Sequence, residues 1–273
     1  MTQNNNSTKI NNSTELSIQI SLSGLSFCIL QRDTLTISFL KHFNFDKKLN
    51  PFELLDQLKH LFNTEKALQE AFSSVFIIHA NELATLVPKP LFNEDCLADY
   101  LKFNSKILKS DFITYDAIKL NDSVNVYVPY VNINNFIYEK FGTFTFKHFS
   151  TILIDQLLVA EKNTDTPKVY AHISSGHFEL IIIKNSKLVL YNSFEYTNEE
   201  DFIYYVLFTA EQLNLNPEKL ELVFLGAIIK DDALYKMAYK YIRHISFGNR
   251  NDNYKYTQAP STNHSDFTLI KSF

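Results

Sequence analysis

From Leu16 onward the chain alternates apolar and polar positions: Leu16, Ile18, Ile20 and Leu22, then Gly24, then Leu25, Phe27 and Ile29. After the polar Gln31-Arg32-Asp33 the period resumes with Leu35, Ile37 and Phe39. A period of two with polar breaks predicts three consecutive antiparallel strands, because successive side chains of a strand point to opposite faces. The period then changes. Asn50-Pro51-Phe52-Glu53 reads as a helix start, with Asn50 as N-cap, Pro51 at the first helical position and Glu53 closing a capping box. Leu54, Leu55, Leu58, Leu61 and Phe62 follow at helical spacing, and the short run Val75-Phe76-Ile77-Ile78 predicts a buried strand.

The same order returns later, shifted by about 150 residues, the mark of a duplicated unit. Val169, Ala171 and Ile173 precede Gly176, and Phe178, Leu180 and Ile182 follow it. Lys184-Asn185-Ser186 make a turn into Leu188, Leu190 and Asn192. Thr197 with Glu200 forms a second capping box before a helix holding Phe202, Ile203, Val206, Leu207 and Leu213, and residues 220–225 give the fourth strand. A meander of three strands, a helix and a buried strand is the ribonuclease H-like order. Two in tandem predict an α/β chain with mixed five-stranded sheets flanked by helices.

Between the copies, helices are expected near residues 94–103, 134–141 and 149–162, and strands within 112–131, so the first unit carries an insertion. The polar stretch 162–167 ends in Pro167 and marks the boundary between units. The expected organisation is a disordered tail over 1–15, a first lobe over 16–161, a second over 168–247 and a polar C-terminal segment over 248–273. Within that last segment, 248–266 reads as loose and 267–273 as a returning edge strand.

Composition narrows the function classes. The tail has too few apolar side chains to offset the entropy of ordering, and it lacks the layout of a signal peptide. No apolar run approaches the roughly 20 residues of a membrane helix, so a soluble, cytoplasmic protein without direct membrane insertion is expected. Lys+Arg 26 against Asp+Glu 30 gives no basic footprint for nucleic acid. Cys28 and Cys96, both within apolar patterns, read as buried thiols rather than a disulfide or zinc site. Twenty-four Phe and 15 Tyr with no Trp point to aromatic cores and to an interface between lobes or in a homo-oligomer.

The stretch Ala171-His172-Ile173-Ser174-Ser175-Gly176, continued by residues 178–183, Lys184-Asn185-Ser186 and Lys187-Leu188-Val189, resembles the phosphate-loop hairpin of the type IV pilus actin-like proteins and their cell-division relatives. With Leu86-Val87-Pro88, Leu225-Gly226 and Tyr239-Lys240-Tyr241-Ile242-Arg243, the chain also resembles the bacterial family "domain of unknown function 3822". The first resemblance implies an actin-like ATPase fold, in which each hairpin carries a carboxylate for water and magnesium. Here the matching positions are read as Ser21 or Ser23 in the first copy and His172 in the second. Neither holds magnesium as an acid would. Gly24, Gly176 and Gly226 stand near the phosphate-loop glycines, but their loops are not glycine-rich. No cofactor is therefore expected, with ATP and magnesium as the alternative.

A ribonuclease H-like nuclease would need clustered carboxylates, whereas the residues facing such a site here include Gln19, Ser21 and His79. His172 and His177 beside Ser174 and Ser175 would allow a serine nucleophile or a two-ligand metal site, but beyond Glu179 no carboxylate is in place to orient them, and hairpin serines ordinarily satisfy turn backbone. No catalytic or metal residue is assigned. The helix over 231–243, with Leu234, Met237, Ala238, Tyr241 and Ile242 on one face, reads as packing on its sheet. The expected role is a non-catalytic actin-like scaffold whose cleft, lined by Ser21, Ser23, Gly24, His172, Ser174, Ser175, Gly176, Gly226 and Ala227, holds a peptide or protein. The rival reading is an ATPase or kinase using displaced acids at Asp231 or Asp232.

Overall fold

A computed structural model describes residues 13–273. The first unit contains strands β1 (Thr14–Ser21), β2 (Gly24–Gln31) and β3 (Thr36–Asn44), helix α1 (Pro51–Thr64) and strand β4 (Ser74–His79). An insertion follows, with β5 (Ala84–Pro88), α2 (Leu97–Leu101), β6 (Thr114–Ile118) and β7 (Ser123–Tyr127). The unit closes with α3 (Val131–Phe141), β8 (Thr145–His148) and α4 (Phe149–Ala160). The second unit holds β9 (Lys168–Ser174), β10 (His177–Lys184), β11 (Lys187–Glu195), α5 (Glu199–Gln212), β12 (Glu221–Gly226), α6 (Ala233–Tyr241) and β13 (His244–Phe247). Two short elements end the chain, β14 (Lys255–Tyr256) and α7 (Phe267–Ile270).

The two large sheets have one topology. The first runs β14-β3-β2-β1-β4-β8 and the second β11-β10-β9-β12-β13. In each, the meander is antiparallel and the fourth and fifth strands lie parallel to the first. This is the actin-like arrangement of two ribonuclease H-like units, with a sixth strand, β14, added to the first sheet. The insertion forms its own sheet, β5-β7-β6.

Alternation along each strand decides the layers. Leu16, Ile18 and Ile20 of β1 face α1 and α3, which bury Leu54, Leu58, Leu61, Ile133 and Ile137 against them. Phe178, Leu180 and Ile182 of β10 face α5 and α6 in the same way. The opposite faces meet between the lobes, where Cys28, Leu30 and Ile78 share one core with Ile181, Ile183, Val223 and Leu225. Helix α4 is apolar nearly all round and fills this layer, since it touches both sheets and α7. Each buried aliphatic side chain contributes about 1.5–3 kcal/mol, so this layer joins the lobes firmly.

The α1 capping box forms as the sequence predicts: Asn50 Oδ1 accepts from the Phe52 and Glu53 amides, and Glu53 accepts from the Asn50 amide at 3.0 Å. The second helix start differs by one residue. Asn198, not Thr197, caps α5 by accepting from the Asp201 amide at 2.8 Å, while Asp201 reaches back to the Thr197 amide at 3.0 Å. On α6, Tyr235 takes the inward place expected for Tyr241, which is exposed. Cys28 is buried, whereas Cys96 is only half-buried.

The ends of the chain depart most from the sequence expectation. Of the tail expected over 1–15, residues 1–12 lie outside the described residues; Thr14 and Glu15 already belong to β1 and pair with Gln31 and Leu30. The C-terminal segment is not loose, and 267–273 is not an edge strand. Phe267, Leu269 and Ile270 are buried in the interlobe core as a single helical turn, because three large apolar side chains in four residues cannot all face one side of a strand. The edge strand is instead β14, paired parallel to Thr36 and Ile37.

Candidate interlobe cleft

The β1–β2 and β9–β10 hairpins point into one cleft of about 960 Å³ between the lobes. Of the residues expected there, Ser21, Ser23, Gly24, His172, Ser174, Ser175, Gly226 and Ala227 line it. Gly176 does not. It sits in the turn at φ +76°, where a Cβ would have no heavy atom within 4 Å, and its carbonyl accepts from the Tyr196 amide. Gly24 and Gly176 therefore do different jobs: Gly24 is in a strand, where a Cβ would lie 2.9 Å from the Phe43 carbonyl oxygen.

Strand register corrects the match between the hairpins. Ser21 pairs with Gly24 and Ser174 with His177 at the closing positions of the two hairpins. Two residues back from each lie Gln19 and His172, so the counterpart of His172 is Gln19 rather than Ser21 or Ser23. Ser21 lies two residues further along the same strand face, at the closing pair, and Ser23 lies beyond the strand end. The position facing His172 across the hairpin is Glu179, and the one facing Gln19 is Ser26.

Both positions are tied to neighbours in this chain. Gln19 Oε1 accepts a 2.8 Å hydrogen bond from Thr268 Oγ1. His172 Nδ1 lies 3.1 Å from Glu179 Oε2, and His177 Nε2 lies 3.4 Å from Glu179 Oε1. Burial alone would push the Glu179 carboxyl up; the hydrogen bonds and charges of the two imidazoles outweigh it and hold the group at about 2. For His177, burial pulls the imidazole down and the Glu179 hydrogen bond and charge prevail, so its pKa is raised. The Phe149 ring stands edge-on to His172 with centroids 5.0 Å apart. Across the cleft, His42 pairs with Asp266 at 2.8 Å, and that hydrogen bond raises the His42 pKa against the effect of burial.

Ser21 Oγ donates to the Gly24 carbonyl and lies 3.1 Å from Ser23 Oγ. Gly226, at φ +81°, is where β12 meets β9: a Cβ would lie 2.3 Å from the Ile173 carbonyl oxygen. At the mouth, Lys48 bridges Glu82 of its own lobe at 3.3 Å and Glu195 of the other at 3.2 Å. His79 does not face the cleft as a base. It is fully buried, with Nε2 3.0 Å from Asn134 Oδ1 and Nδ1 accepting from the Tyr130 amide, and burial lowers its pKa to about 3. Asp232 lines the cleft, with Oδ2 accepting from the Ile229 amide; Asp231 does not line it.

Sequence reasoning missed the C-terminal contribution. Ser261, Thr262, Ser265, Asp266, Phe267, Thr268 and Leu269 form part of the cleft lining. Their place follows from the packing of α7, and only the apolar cluster Phe267, Leu269 and Ile270 could have signalled it. The resulting site offers hydroxyls, imidazoles and backbone groups, with the carboxylates of Glu82, Glu179, Asp232 and Asp266 and the Lys48 ammonium on its walls. Among the described residues, no group of three or more His, Cys, Asp or Glu could hold a metal ion, and no helix is long and apolar enough to cross a membrane.

Residues 3–245 match the family described as "Protein of unknown function (DUF3822)". The chain belongs to the DUF3822 family. Among solved structures, a Bacteroides thetaiotaomicron protein with actin-like ATPase fold and unknown function is similar, with TM-score 0.78 and 26% identity over 89% of this chain and 93% of that one. The PilM-PilN type IV pilus biogenesis complex matches with TM-score 0.61 and 10% identity, covering 94% and 96%. The ethanolamine utilization protein EutJ from Carboxydothermus hydrogenoformans matches with TM-score 0.50 and 7% identity, covering 94% and 88%. The latter two likenesses bear on the fold of this DUF3822 member alone. No curated protein matches the sequence.

Proposed function

We propose that this DUF3822 protein is a non-catalytic, cytoplasmic actin-like scaffold that holds a peptide or protein partner in its interlobe cleft. The observation that carries the reading is the pair Gln19 and His172. They stand where the resemblance to actin-like ATPases calls for carboxylates, and each is already engaged by a side chain of this protein, Thr268 or Glu179. Magnesium takes oxygen ligands and keeps several waters, so an imidazole held by a buried carboxylate is a poor replacement for an acid. Clustered hydroxyls and backbone groups suit the main chain of an extended peptide. The fold likeness to PilM in its complex with PilN adds a precedent for partner binding on this scaffold.

The second reading is a nucleotide-binding ATPase or kinase. It is favoured by the cleft volume of about 960 Å³ and by the presence of Asp232 on the wall. A thermal melt separates the two. A ligand that binds only the native state raises Tm, by the equivalent of about 2.7 kcal/mol at a hundredfold excess over Kd. On the scaffold reading, millimolar ATP or ADP with magnesium leaves Tm unchanged, and Ser175→Glu abolishes capture of a partner from the native host while leaving Tm alone. Ser175 serves better than Gly176, which the turn geometry places outside the cleft. A nucleotide-dependent Tm rise, or a Ser175→Glu variant that keeps every partner, overturns the scaffold reading.

A further inference from the structure

Residues 248–273 follow a path that a simple tail would not. The segment leaves β13, with the Gly248 amide donating to the Phe224 carbonyl, then crosses to the first lobe to pair as β14 with β3. It returns to the second lobe, where the Gly226 amide donates to the His264 carbonyl at 2.9 Å and His264 Nε2 lies 2.7 Å from the Ile228 carbonyl oxygen. It crosses again to end on the first lobe. There Asp266 meets His42, Thr268 meets Gln19, and Ser272 Oγ donates to Ser17 Oγ at 2.7 Å. Phe267, Leu269 and Ile270 are buried to 4% exposure or less.

Polar contacts that fix register, together with apolar anchors in pockets, are how a groove reads a peptide, and here Phe267, Leu269 and Ile270 supply the anchors from a single helical turn. The link before this stretch has the opposite character: Thr257, Gln258 and Ala259 are exposed. A short covalent link supplies a high effective concentration, so a ligand of modest intrinsic affinity stays in place when attached.

We infer that the inner half of the cleft is a peptide-binding groove whose resident occupant is the chain's own residues 262–270, and that the groove accepts in exchange a peptide of the same chemistry, an acidic residue followed by large apolar side chains. This rests on the cleft being the binding site and names what it takes. The resident segment would then gate partner access, because both occupants need the Gln19 and His42 contacts and the Phe267 pocket.

The first measurement is hydrogen exchange on the intact protein. If the segment opens locally, the amides of residues 264–270 exchange at least tenfold faster than those of the central strands β1 and β9. If they exchange only with global unfolding, the segment is fixed core and the inference fails. The second measurement inserts a site-specific protease sequence between Gln258 and Ala259 in the full chain. After cleavage, a fluorescent peptide of residues 260–273 should replace the resident fragment at micromolar concentration, with no exchange in the uncut protein at the same dose. A peptide carrying Asp266→Ala and Phe267→Ala should compete at least tenfold more weakly. Failure of the labelled peptide to enter the nicked protein, or equal competition by the altered peptide, overturns the proposal. Exchange is read without any native partner, so its failure is distinct from that of the scaffold reading, which is tested by Ser175→Glu.

Discussion

Replacing Gly226 with alanine separates two costs that the cleft geometry imposes. At φ +81° the residue is left-handed, which costs a side chain about 1–2 kcal/mol. The added Cβ would also lie 2.3 Å from the Ile173 carbonyl oxygen, 3.1 Å from the Ile173 nitrogen and 3.1 Å from His172 Cε1. Two of those contacts are backbone, so relief requires β12 to move away from β9, an overpacking cost of about 1–3 kcal/mol. The total is about 3 kcal/mol, or roughly 6–12 °C in Tm at 2–4 °C per kcal/mol. Gly176 is the internal control. It has φ +76° but nothing within 4 Å of the Cβ position, so Gly176→Ala bears only the conformational part, about 1–2 kcal/mol. Urea unfolding of the two variants beside the native protein measures both numbers. Equal losses would refute the close approach of the β12 end to β9, and with it the packing that forms the cleft floor.

Acid should destabilise the protein in stages. His79 and His148 are buried and neutral, with burial lowering them from 6.5 to about 3 and about 4; the unfolded chain therefore binds more protons, and stability falls as pH drops from 6.5 toward those values. His42 and His177, whose pKa values are raised, act in the opposite sense, so the check compares urea midpoints at pH 7 and pH 5 in the native protein and in His79→Gln. The variant should lose less at pH 5, and an equal or larger loss would contradict the sign. Glu179, held at about 2 against an ordinary 4.5, contributes stability that is complete above 4.5 and is lost as pH falls toward 2, so Glu179→Gln should flatten that limb of the curve. Asn50→Ala should cost about 1 kcal/mol, the usual value of a lost N-cap, by the same urea assay. Purified protein should hydrolyse ATP no faster than background and leave RNA and DNA uncut; turnover that disappears in His172→Ala would overturn the non-catalytic reading.

The parts of the fold that show in the sequence are those governed by local periodicity. The alternation from Leu16 to Phe39 and its echo from Val169 to Leu190 lead directly to the two meanders, and the Asn50 box is a local signal that forms as written. Strand β8 was invisible because it is four residues long and lies against a sheet edge, where pairing rather than pattern selects it. The C-terminal residues were misread for a related reason: Phe267, Leu269 and Ile270 acquire their meaning only from the groove they enter. At the cleft, the sequence identified both hairpins and His172 but placed its counterpart at Ser21 or Ser23, nearer the turn than Gln19. The ladder places Gly24 opposite Ser21 and Gly176 inside a turn, so aligning the glycines slides one copy past the other. Gln19 shows in the sequence as a residue facing the site, and only pairing partners reveal it as the counterpart of His172.

The double crossing of residues 248–273 bears on how the chain comes to be folded during synthesis. N-terminal domains generally fold first as the ribosome releases them. Here the first lobe cannot be completed in that order: its edge strand β14 and the cover of β1 and β2 by α7 come from residues made only after the whole second lobe. Until then Leu30, Ile37 and the inner face of β2 lack the partners they have in the finished protein. Ribosome-bound chains ending near residue 240 should thus expose apolar surface that recruits holding chaperones. Docking of residues 248–273, which contact both lobes, would couple them and give a single cooperative transition from a molecule with two similar halves.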